Sequence, residues 1–321
     1  LKSNSLVHNQ DCEAFVDWAI QLGKEQGCET GFFLGDWHHH RASLNLQTLN
    51  FSLRSLERLS KAFDKFYFIP GNHDLYYRDK RDIHGAEWAR HIPNIEIDND
   101  WFEDSGVVIA PWLVGDDHKK IPKLRSKYVF GHFELPHFKM NAMVEMPDHG
   151  ELQADDFGSV DKVFSGHFHL RQMRKNINYI GNAFPHNFAD AGDDKRGCTI
   201  LEWGNEPTYH AWPGQPMYRV YKLSDLISTP EKLLADNMHV RVQLDIDISY
   251  EEATFIKETF IDTYKLREIT LIPAKVTELT EYEIQGNIEF ESVDQIVTEQ
   301  LVNIDSKDFD KNMLLEIYNN L

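Results

Sequence analysis

The first 200 residues of the chain alternate short apolar segments with amphipathic ones. Five apolar segments are rich in β-branched or aromatic residues and end at a turn residue, which is typical of buried strands. They read "GFFLGD" (31–36), "FYFIPGNHD" (66–74), "VVIAPW" (107–112), "KYVFGH" (127–132) and "KVFSGH" (162–167). Helical periodicity lies near residues 12–26 and 45–63. Strand–helix–strand alternation predicts a largely parallel or mixed sheet covered by helices.

Three later segments, "INYIGNAF", "GCTILEW" and "MYRVYKL", follow one another without a helical pattern between them. They predict further strands, and hence a second sheet that packs against the first. The fold class expected for residues 1–223 is therefore α/β, with a sandwich of two sheets flanked by helices.

The pattern changes beyond that region. "HVRVQLDIDIS" (239–249) alternates like a half-buried strand, "YEEATFIKETFIDTYK" (250–265) is helical, and "LREITLIPA" (266–274) is a strand again. This βαβ unit predicts a small α+β cap or DNA-binding domain over residues 224–288. Residues 289–321 contain two short amphipathic stretches, which predict a helical pair that either packs on its own domain or docks a partner.

The charge is uneven along the chain. Of the net −19, residues 241–321 carry −11, from 18 acidic and 7 basic residues, which leaves −8 for residues 1–240. This balance argues against a protein that coats nucleic acid through bulk electrostatics. Any DNA contact is expected at two basic clusters, although a solvated charged face is the commoner role of such clusters. These clusters are Lys119, Lys120, Lys123, Arg125 and Lys127, and then Arg171, Arg174 and Lys175.

The remaining composition indicates an intracellular location. The three cysteines, Cys12, Cys28 and Cys198, form no C-x-x-C pair and are typical of reduced thiols. No apolar stretch approaches the roughly 18 residues of a membrane span. The start of the chain has neither a basic nor an apolar signal region. We therefore expect no membrane association and a cytoplasmic protein, in the host cytoplasm if a bacteriophage encodes it.

Polar side chains that can bind metals stand at the ends of successive predicted strands. Asp36 ends the first, Asn72-His73-Asp74 the second, His132 a later one, and His167-x-His169 the last. In open α/β sheets such side chains converge on a shared crevice. One carboxylate, one amide oxygen and three imidazoles suit Mn, Fe or Zn rather than Ca. Because the set contains no cysteine, a closed structural zinc site is not expected.

The ordered set "GD", "GNHD", "GH" and "GHFH" resembles the signature of the calcineurin-like metallophosphoesterases. The segments "YIGNAF" and "AGDDKRG" are similar to a narrower branch, the SbcD-type nuclease subunits of double-strand-break repair complexes. Within that branch, the recombination endonuclease subunits of T-even-like bacteriophages are the most similar. The motif resemblance covers residues 1 to about 200 and implies a metallophosphoesterase sandwich. It also implies hydrolysis without a protein nucleophile.

The resemblance implies a centre of two divalent ions. Asp36 would bridge the two ions. The coordination of one ion would be completed by Asn72, His132 and His167, and His169 would bind the other. We expect Mn²⁺, with Mg²⁺, Fe²⁺ and Zn²⁺ as alternatives. Two such ions about 4 Å apart can activate a water for in-line attack on a phosphodiester.

Two histidines are implied as catalytic. In the family the residue at His73 hydrogen-bonds the phosphate or the leaving oxygen, as a general acid or a charge stabiliser. In the repair-nuclease branch a second functional histidine stands three residues after the bridging aspartate, which is His39 here. His38 and His40 are expected to point elsewhere, because side chains alternate along an extended segment.

Substrate contacts are expected near the YIG loop and beside the metals. His186 and Asn187 follow that loop, close to the expected substrate groove. Trp37 and Tyr76 flank the metal motifs and would stack on a base if exposed.

One motif of the family is missing. Relatives open with a strand that ends in D-x-H, and no such motif precedes Asp36. We expect Leu1 to lie directly after a lost D-x-H, so that the chain lacks its first strand and two ligands. If this truncation is real, activity is low or absent, and an added strand ending in Asp-x-His before Leu1 restores it. His8 is a conceivable substitute, but its position favours a loop or substrate-side histidine.

The resemblance implies a DNA exonuclease and endonuclease subunit that works with an SbcC-type ABC ATPase. Residues 289–321 are the candidate docking element for the ATPase, and residues 45–63 are the candidate contact of a homodimer. Two other functions stay open at this point. The shared metal core also fits a phosphoesterase for small molecules or phosphoproteins, and the missing motif fits a non-catalytic subunit.

Overall fold

The computed structural model describes residues 1–2, 5–140, 144–150 and 152–273. The predicted helical pair at 289–321 and the last part of the predicted cap domain lie outside these residues. The described residues form one compact unit, Leu1–Pro273. None of its helices combines the length and the apolar character that a membrane span requires.

Helices and strands alternate through most of the described chain, as the hydrophobic pattern predicts. The helices are α1 (Leu6–Glu25), α2 (Leu46–Ala62), α3 (Leu223–Ser228), α4 (Pro230–Leu233) and α5 (Tyr250–Tyr264). The first strands are β1 (Thr30–Phe33), β2 (Lys65–Phe68), β3 (Ile95–Ile97), β4 (Phe102–Asp104), β5 (Val107–Ile109), β6 (Ser126–Gly131) and β7 (Val160–Ser165). The others are β8 (Gln172–Arg174), β9 (Ile177–Tyr179), β10 (Gly197–Ile200), β11 (Thr208–Ala211), β12 (Met217–Lys222), β13 (Met238–Leu244) and β14 (Glu268–Pro273).

The first sheet is parallel, in the order β1-β2-β3, and helices α1 and α2 pack beside it. Helix α2 begins after Asn45, whose side-chain oxygen accepts a hydrogen bond of 2.8 Å from the Thr48 amide. Helix α1 begins six residues earlier than the predicted position 12. The polar residue Asn9 interrupts the apolar pattern, so the sequence did not predict a helix there. Its side chain is nevertheless buried, because it forms two hydrogen bonds of 2.9 Å with the backbone of Lys2.

The second sheet has six strands in the order β4-β5-β6-β7-β9-β8. The two sheets meet through aromatic side chains, since Phe32 of β1 stacks on Phe130 of β6 with ring centroids 4.1 Å apart. Leu34, Ile69 and Phe164 pack in the same cluster. The α/β class with two packed sheets is confirmed. The predicted composition of the second sheet is not, because β9 belongs to it but β10 ("GCTI") pairs with β11 in a separate two-stranded sheet.

The C-terminal part of the described chain forms a separate parallel sheet, in the order β12-β13-β14, with α5 between its last two strands. The βαβ unit is confirmed, but β12 ("MYRVYK") differs from the prediction. It pairs with β13 from Met217↔Met238 to Lys222↔Gln243 and does not extend the second sheet of the sandwich. Arg267 ties this sheet to helix α1, because its two terminal nitrogens lie 2.6 and 2.7 Å from the Asp11 carboxylate oxygens.

Candidate metal centre

The strand register brings four loops to one edge of the sandwich. Phe33 of β1 aligns with Phe68 of β2, and Gly131 of β6 aligns with Ser165 of β7. Since the strands of each pair are parallel, the residues that follow them leave their sheet on the same side. The loops that follow carry Asp36, Asn72, His132 and His167.

Three of these side chains converge within a few ångströms. One ligand atom each of Asp36, His132 and His167 lies within 4.8 Å of the other two. Asp36 Oδ2 is 3.4 Å from His132 Nε2, which is 3.2 Å from His167 Nδ1. Asn72 Oδ1 lies 3.0 Å from that His132 nitrogen and 3.1 Å from that His167 nitrogen. Four of the five residues predicted as ligands therefore surround one point.

The protonation pattern of this cluster favours a cation at that point. His132 Nδ1 lies 2.6 Å from the Leu34 carbonyl oxygen, so it carries the hydrogen, and in the neutral ring Nε2 presents a lone pair. That lone pair faces the Asn72 and Asp36 oxygens, which are hydrogen-bond acceptors as well. Burial by itself favours the neutral imidazole, but the Asp36 carboxylate raises the pKa of His132. Oxygen and nitrogen atoms of this kind are ligands for a divalent metal ion, so the residues fit a metal.

The backbone of the cluster is held in an unfavourable conformation. Asp36 has φ of 63° and His167 has φ of 82°, in the left-handed region that costs a non-glycine residue about 1–3 kcal/mol. Gly71 permits this close approach, because a Cβ atom there would overlap the Asp36 side chain and the His132 ring. Strain of this kind persists where the surrounding structure fixes it, and it is concentrated at functional sites.

Asp74, the last residue of the GNHD motif, joins the two loops of the first sheet. Its carboxylate accepts backbone hydrogen bonds from Trp37 (3.0 Å), His38 (2.9 Å) and Gly71 (3.0 Å). His38 is buried with Nε2 3.0 Å from Ser52 Oγ, and so it points away from the centre, as predicted. The Trp37 indole is also buried and donates to Ser52 Oγ at 2.6 Å. Trp37 therefore does not meet the condition of exposure on which base stacking depended.

His73 and His39 form a stacked pair beside the cluster. Their ring centroids are 5.6 Å apart at an interplanar angle of 13°, and His73 Nδ1 lies 3.0 Å from the His39 carbonyl oxygen. The His73 amide donates to Asp36 Oδ1 at 2.9 Å, which fixes the pair relative to the cluster. Burial, and to a smaller extent nearby cationic groups, lower the pKa of His39 to about 4. The neighbouring His40 is exposed, and its ring centroid lies 4.8 Å from that of His39.

The remaining predicted site residues form a second group. Among the described residues, His169 is not part of the convergent trio, and its Nδ1 lies 3.9 Å from Asp190 Oδ1. The His186 ring centroid lies 5.9 Å from that of His169 and 5.2 Å from that of His8. Burial lowers the pKa of both His169 and His186. His8 belongs to helix α1 and not to a loop, which corrects that part of the expectation.

Asn187 has a local structural role. Its side-chain oxygen accepts a hydrogen bond of 2.8 Å from the Ala189 amide and caps the short 3₁₀ turn Phe188–Asp190. The side chain is exposed, so a substrate contact stays a prediction.

Two residues beside the cluster were not predicted as part of the site. Glu134 Oε2 lies 3.1 Å from His167 Nε2, on the side of that ring away from Asn72. The half-buried Trp112 packs with its ring centroid 5.7 Å from that of His132 and 5.5 Å from that of His167. The available signal for Glu134 was its place two residues after the histidine of "GHFE".

The comparison with known protein families agrees with this geometry. The model of the calcineurin-like phosphoesterase family matches residues 8–171, just over half of the 321 residues. The chain therefore belongs to this family, which implies a hydrolase that binds divalent metal ions.

A phage protein is among the chain's relatives. Exonuclease subunit 1 of Enterobacteria phage T4 is 27% identical over 204 residues, which cover 60% of this chain and 58% of that protein. The match thus spans less than two thirds of the length of either protein.

Proposed function

We propose that this protein is a metal-dependent phosphodiesterase that cleaves DNA, as the nuclease subunit of a recombination or double-strand-break repair complex. The observation that carries the proposal is the cluster of Asp36, Asn72, His132 and His167, where two ring nitrogens, an amide oxygen and a carboxylate oxygen converge on one point. The similarity to a phage exonuclease subunit favours DNA as the substrate.

In this proposal Asn72, His132 and His167 would hold one divalent ion, His169 would hold a second, and Asp36 would be shared between the two. Bound ions of this kind polarise the phosphodiester and make a water nucleophilic at neutral pH. Mn²⁺ suits the mixed oxygen and nitrogen donors. The two-ion arrangement and the choice of Mn²⁺ belong to the proposal.

His73 is the proposed proton donor to the leaving oxygen. Its Nδ1 is occupied by the His39 carbonyl oxygen at 3.0 Å, so Nε2 is the atom that remains for the substrate. His39 therefore supports His73 through its backbone and through its stacked ring. His186 and Asn187 would contact the DNA from the second group.

The wider assembly is also part of the proposal. We place an SbcC-type ABC ATPase at residues 289–321 and DNA on the cap domain, residues 224–288. A homodimer contact at α2 is supported by Leu46 and Leu53, which are 78% and 38% exposed on that helix. The complex would act in the cytoplasm, or in the host cytoplasm if a bacteriophage encodes it.

The test is cleavage of end-labelled single- and double-stranded DNA with Mn²⁺, by the chain with a strand ending in Asp-x-His placed before Leu1, either otherwise wild type or carrying Asp36→Asn. We expect Mn²⁺-dependent cleavage that is lost in Asp36→Asn and retained in a control variant, His118→Ala, whose histidine lies in the 3₁₀ segment Gly115–Lys123.

Turnover of cyclic nucleotides without DNA cleavage would contradict the proposal and would identify a small-molecule phosphoesterase. The absence of both cleavage and Mn²⁺ binding would identify a non-catalytic subunit.

A further inference from the structure

The loop after the GNHD motif carries an exposed aromatic pair. Tyr76 and Tyr77 are 48% and 43% exposed, and their ring centroids lie 4.8 Å apart at 87°. Tyr76 follows His73 by three residues, so their Cα atoms are at most about 11 Å apart. Two accessible aromatic rings therefore stand beside the proposed reaction centre.

The loop that carries this pair is firmly anchored. Leu75 is fully buried, and the Tyr76 amide donates to the Ile83 carbonyl oxygen at 3.0 Å. The Trp112 indole donates to the Arg78 carbonyl oxygen at 3.3 Å. A fixed platform loses little conformational entropy when a ligand binds, which favours recognition by these rings.

A cleft of about 250 Å³ separates this loop from residues 41–44, and Tyr76 and Ile83 line it on one side. Two of its lining residues have buried polar atoms without a hydrogen-bond partner among the described residues, namely Arg41 Nη1 and His84 Nδ1. Such atoms are costly when they stay unpaired, so the cleft suits a ligand with both a flat face and polar edges.

The same surface carries three cationic side chains, Arg41, Arg78 and Lys80, against two acidic ones in the same loop, Asp79 and Asp82. Burial, and to a smaller extent the nearby Arg78, lower the pKa of Arg41. Within the described ranges of the chain, none of the three cations forms an ion pair with a carboxylate, and Lys80 Nζ lies 5.6 Å from the Tyr77 ring centroid. On a chain of net charge −19, these three cations give a surface that is locally suited to a phosphate.

We propose that Arg41, Tyr76, Tyr77, Arg78 and Lys80, together the tyrosine shelf, bind a nucleotide of single-stranded DNA next to the phosphate at the metal centre. The unpaired base stacks on a tyrosine ring and the backbone phosphate contacts the guanidinium groups. The bases of a duplex already stack on each other, so an unpaired strand offers the free face that this surface requires. The inference rests on the nuclease function proposed above.

The test is the binding of a fluorescein-labelled oligothymidylate, followed by anisotropy in EDTA so that no cleavage occurs. Tyr76→Ala should weaken binding by about 5- to 140-fold, the usual range for one stacked base. Tyr76→Phe keeps the ring and should stay within about twofold of the wild type. Arg78→Ala should reduce the slope of log affinity against log salt by about 0.7, as expected for one phosphate contact on a single strand.

Trp203→Ala is the matched control, because Trp203 is an aromatic residue that is 57% exposed, follows β10, and belongs neither to the shelf nor to residues 224–288. Thermal unfolding of each variant verifies the fold. Equal affinity of Tyr76→Ala and the wild type for the oligothymidylate would overturn the proposal. So would a loss of affinity in Tyr76→Phe as large as that in Tyr76→Ala, or a loss in Tyr76→Ala that is as large for duplex DNA as for the single strand. Because stacking needs no metal, failure of the shelf shows in this assay. Failure of the proposed nuclease shows instead as absent Mn²⁺-dependent cleavage by the chain with the strand ending in Asp-x-His before Leu1.

Discussion

Replacement of Glu134 tests how the protein orients a proposed metal ligand. The Glu134 carboxylate accepts from His167 Nε2 at 3.1 Å, which leaves Nδ1 as the lone pair that faces Asn72 and His132. Carboxylates that fix a ligating histidine in this way typically contribute 10- to 100-fold to metal affinity. Since the Glu134 side chain is 41% exposed, we expect the lower end of this range. Glu134→Ala should weaken Mn²⁺ binding about tenfold, or about 1.4 kcal/mol.

Calorimetric titration of Mn²⁺ into the metal-free protein measures this change. Glu134→Gln keeps an acceptor oxygen but loses the charge, so its affinity should lie between those of the wild type and the alanine variant. Glu145→Ala is the matched control, because Glu145 is an exposed carboxylate whose neighbour, His137 at 3.6 Å, lies outside the cluster. An affinity of Glu134→Ala within twofold of the wild type would refute the reasoning.

Two further predictions concern a glycine and a buried acid. Gly71→Ala should abolish or strongly weaken Mn²⁺ binding in the same titration, because the new methyl group displaces the Asp36 side chain, and an unchanged affinity would contradict this. Burial and the nearby Glu96 raise the pKa of Asp98 from 3.8 to about 7. The folded wild type therefore binds this proton more tightly than the unfolded chain, and it loses stability as the pH rises from about 4 to 7. Asp98→Asn should escape this loss, with a free energy of unfolding in urea that exceeds that of the wild type by up to about 4 kcal/mol at pH 8 and matches it near pH 4. A difference that does not vary with pH would count against this cause.

The convergence of the trio followed from the sequence because each residue comes directly after a predicted strand, and the ends of parallel strands collect at one edge of a sheet. His132 and His167 follow neighbouring strands of the second sheet, whereas Asp36 follows β1 of the first, so their meeting also depended on how the two sheets pack. Their role as ligands, and that of His169, stays a prediction. The α/β class and the βαβ unit followed from the same periodicities.

Other features depend on partners that are distant in sequence. The two-residue period of β12 is the same whichever sheet it joins, so the sequence did not reveal its pairing with β13. Trp37 looked like a loop residue, but its indole reaches Ser52 on helix α2. The contact of Glu134 with His167 depends on ring orientation, which no local pattern encodes.

The central claim is that four separate loops build one metal site, and anomalous diffraction from crystals soaked in Mn²⁺ tests it most directly. The account predicts a strong anomalous peak within about 2.3 Å of a carboxylate oxygen of Asp36 and a ring nitrogen of both His132 and His167. A well-ordered crystal that shows no peak there, or a peak held by other residues, would contradict it.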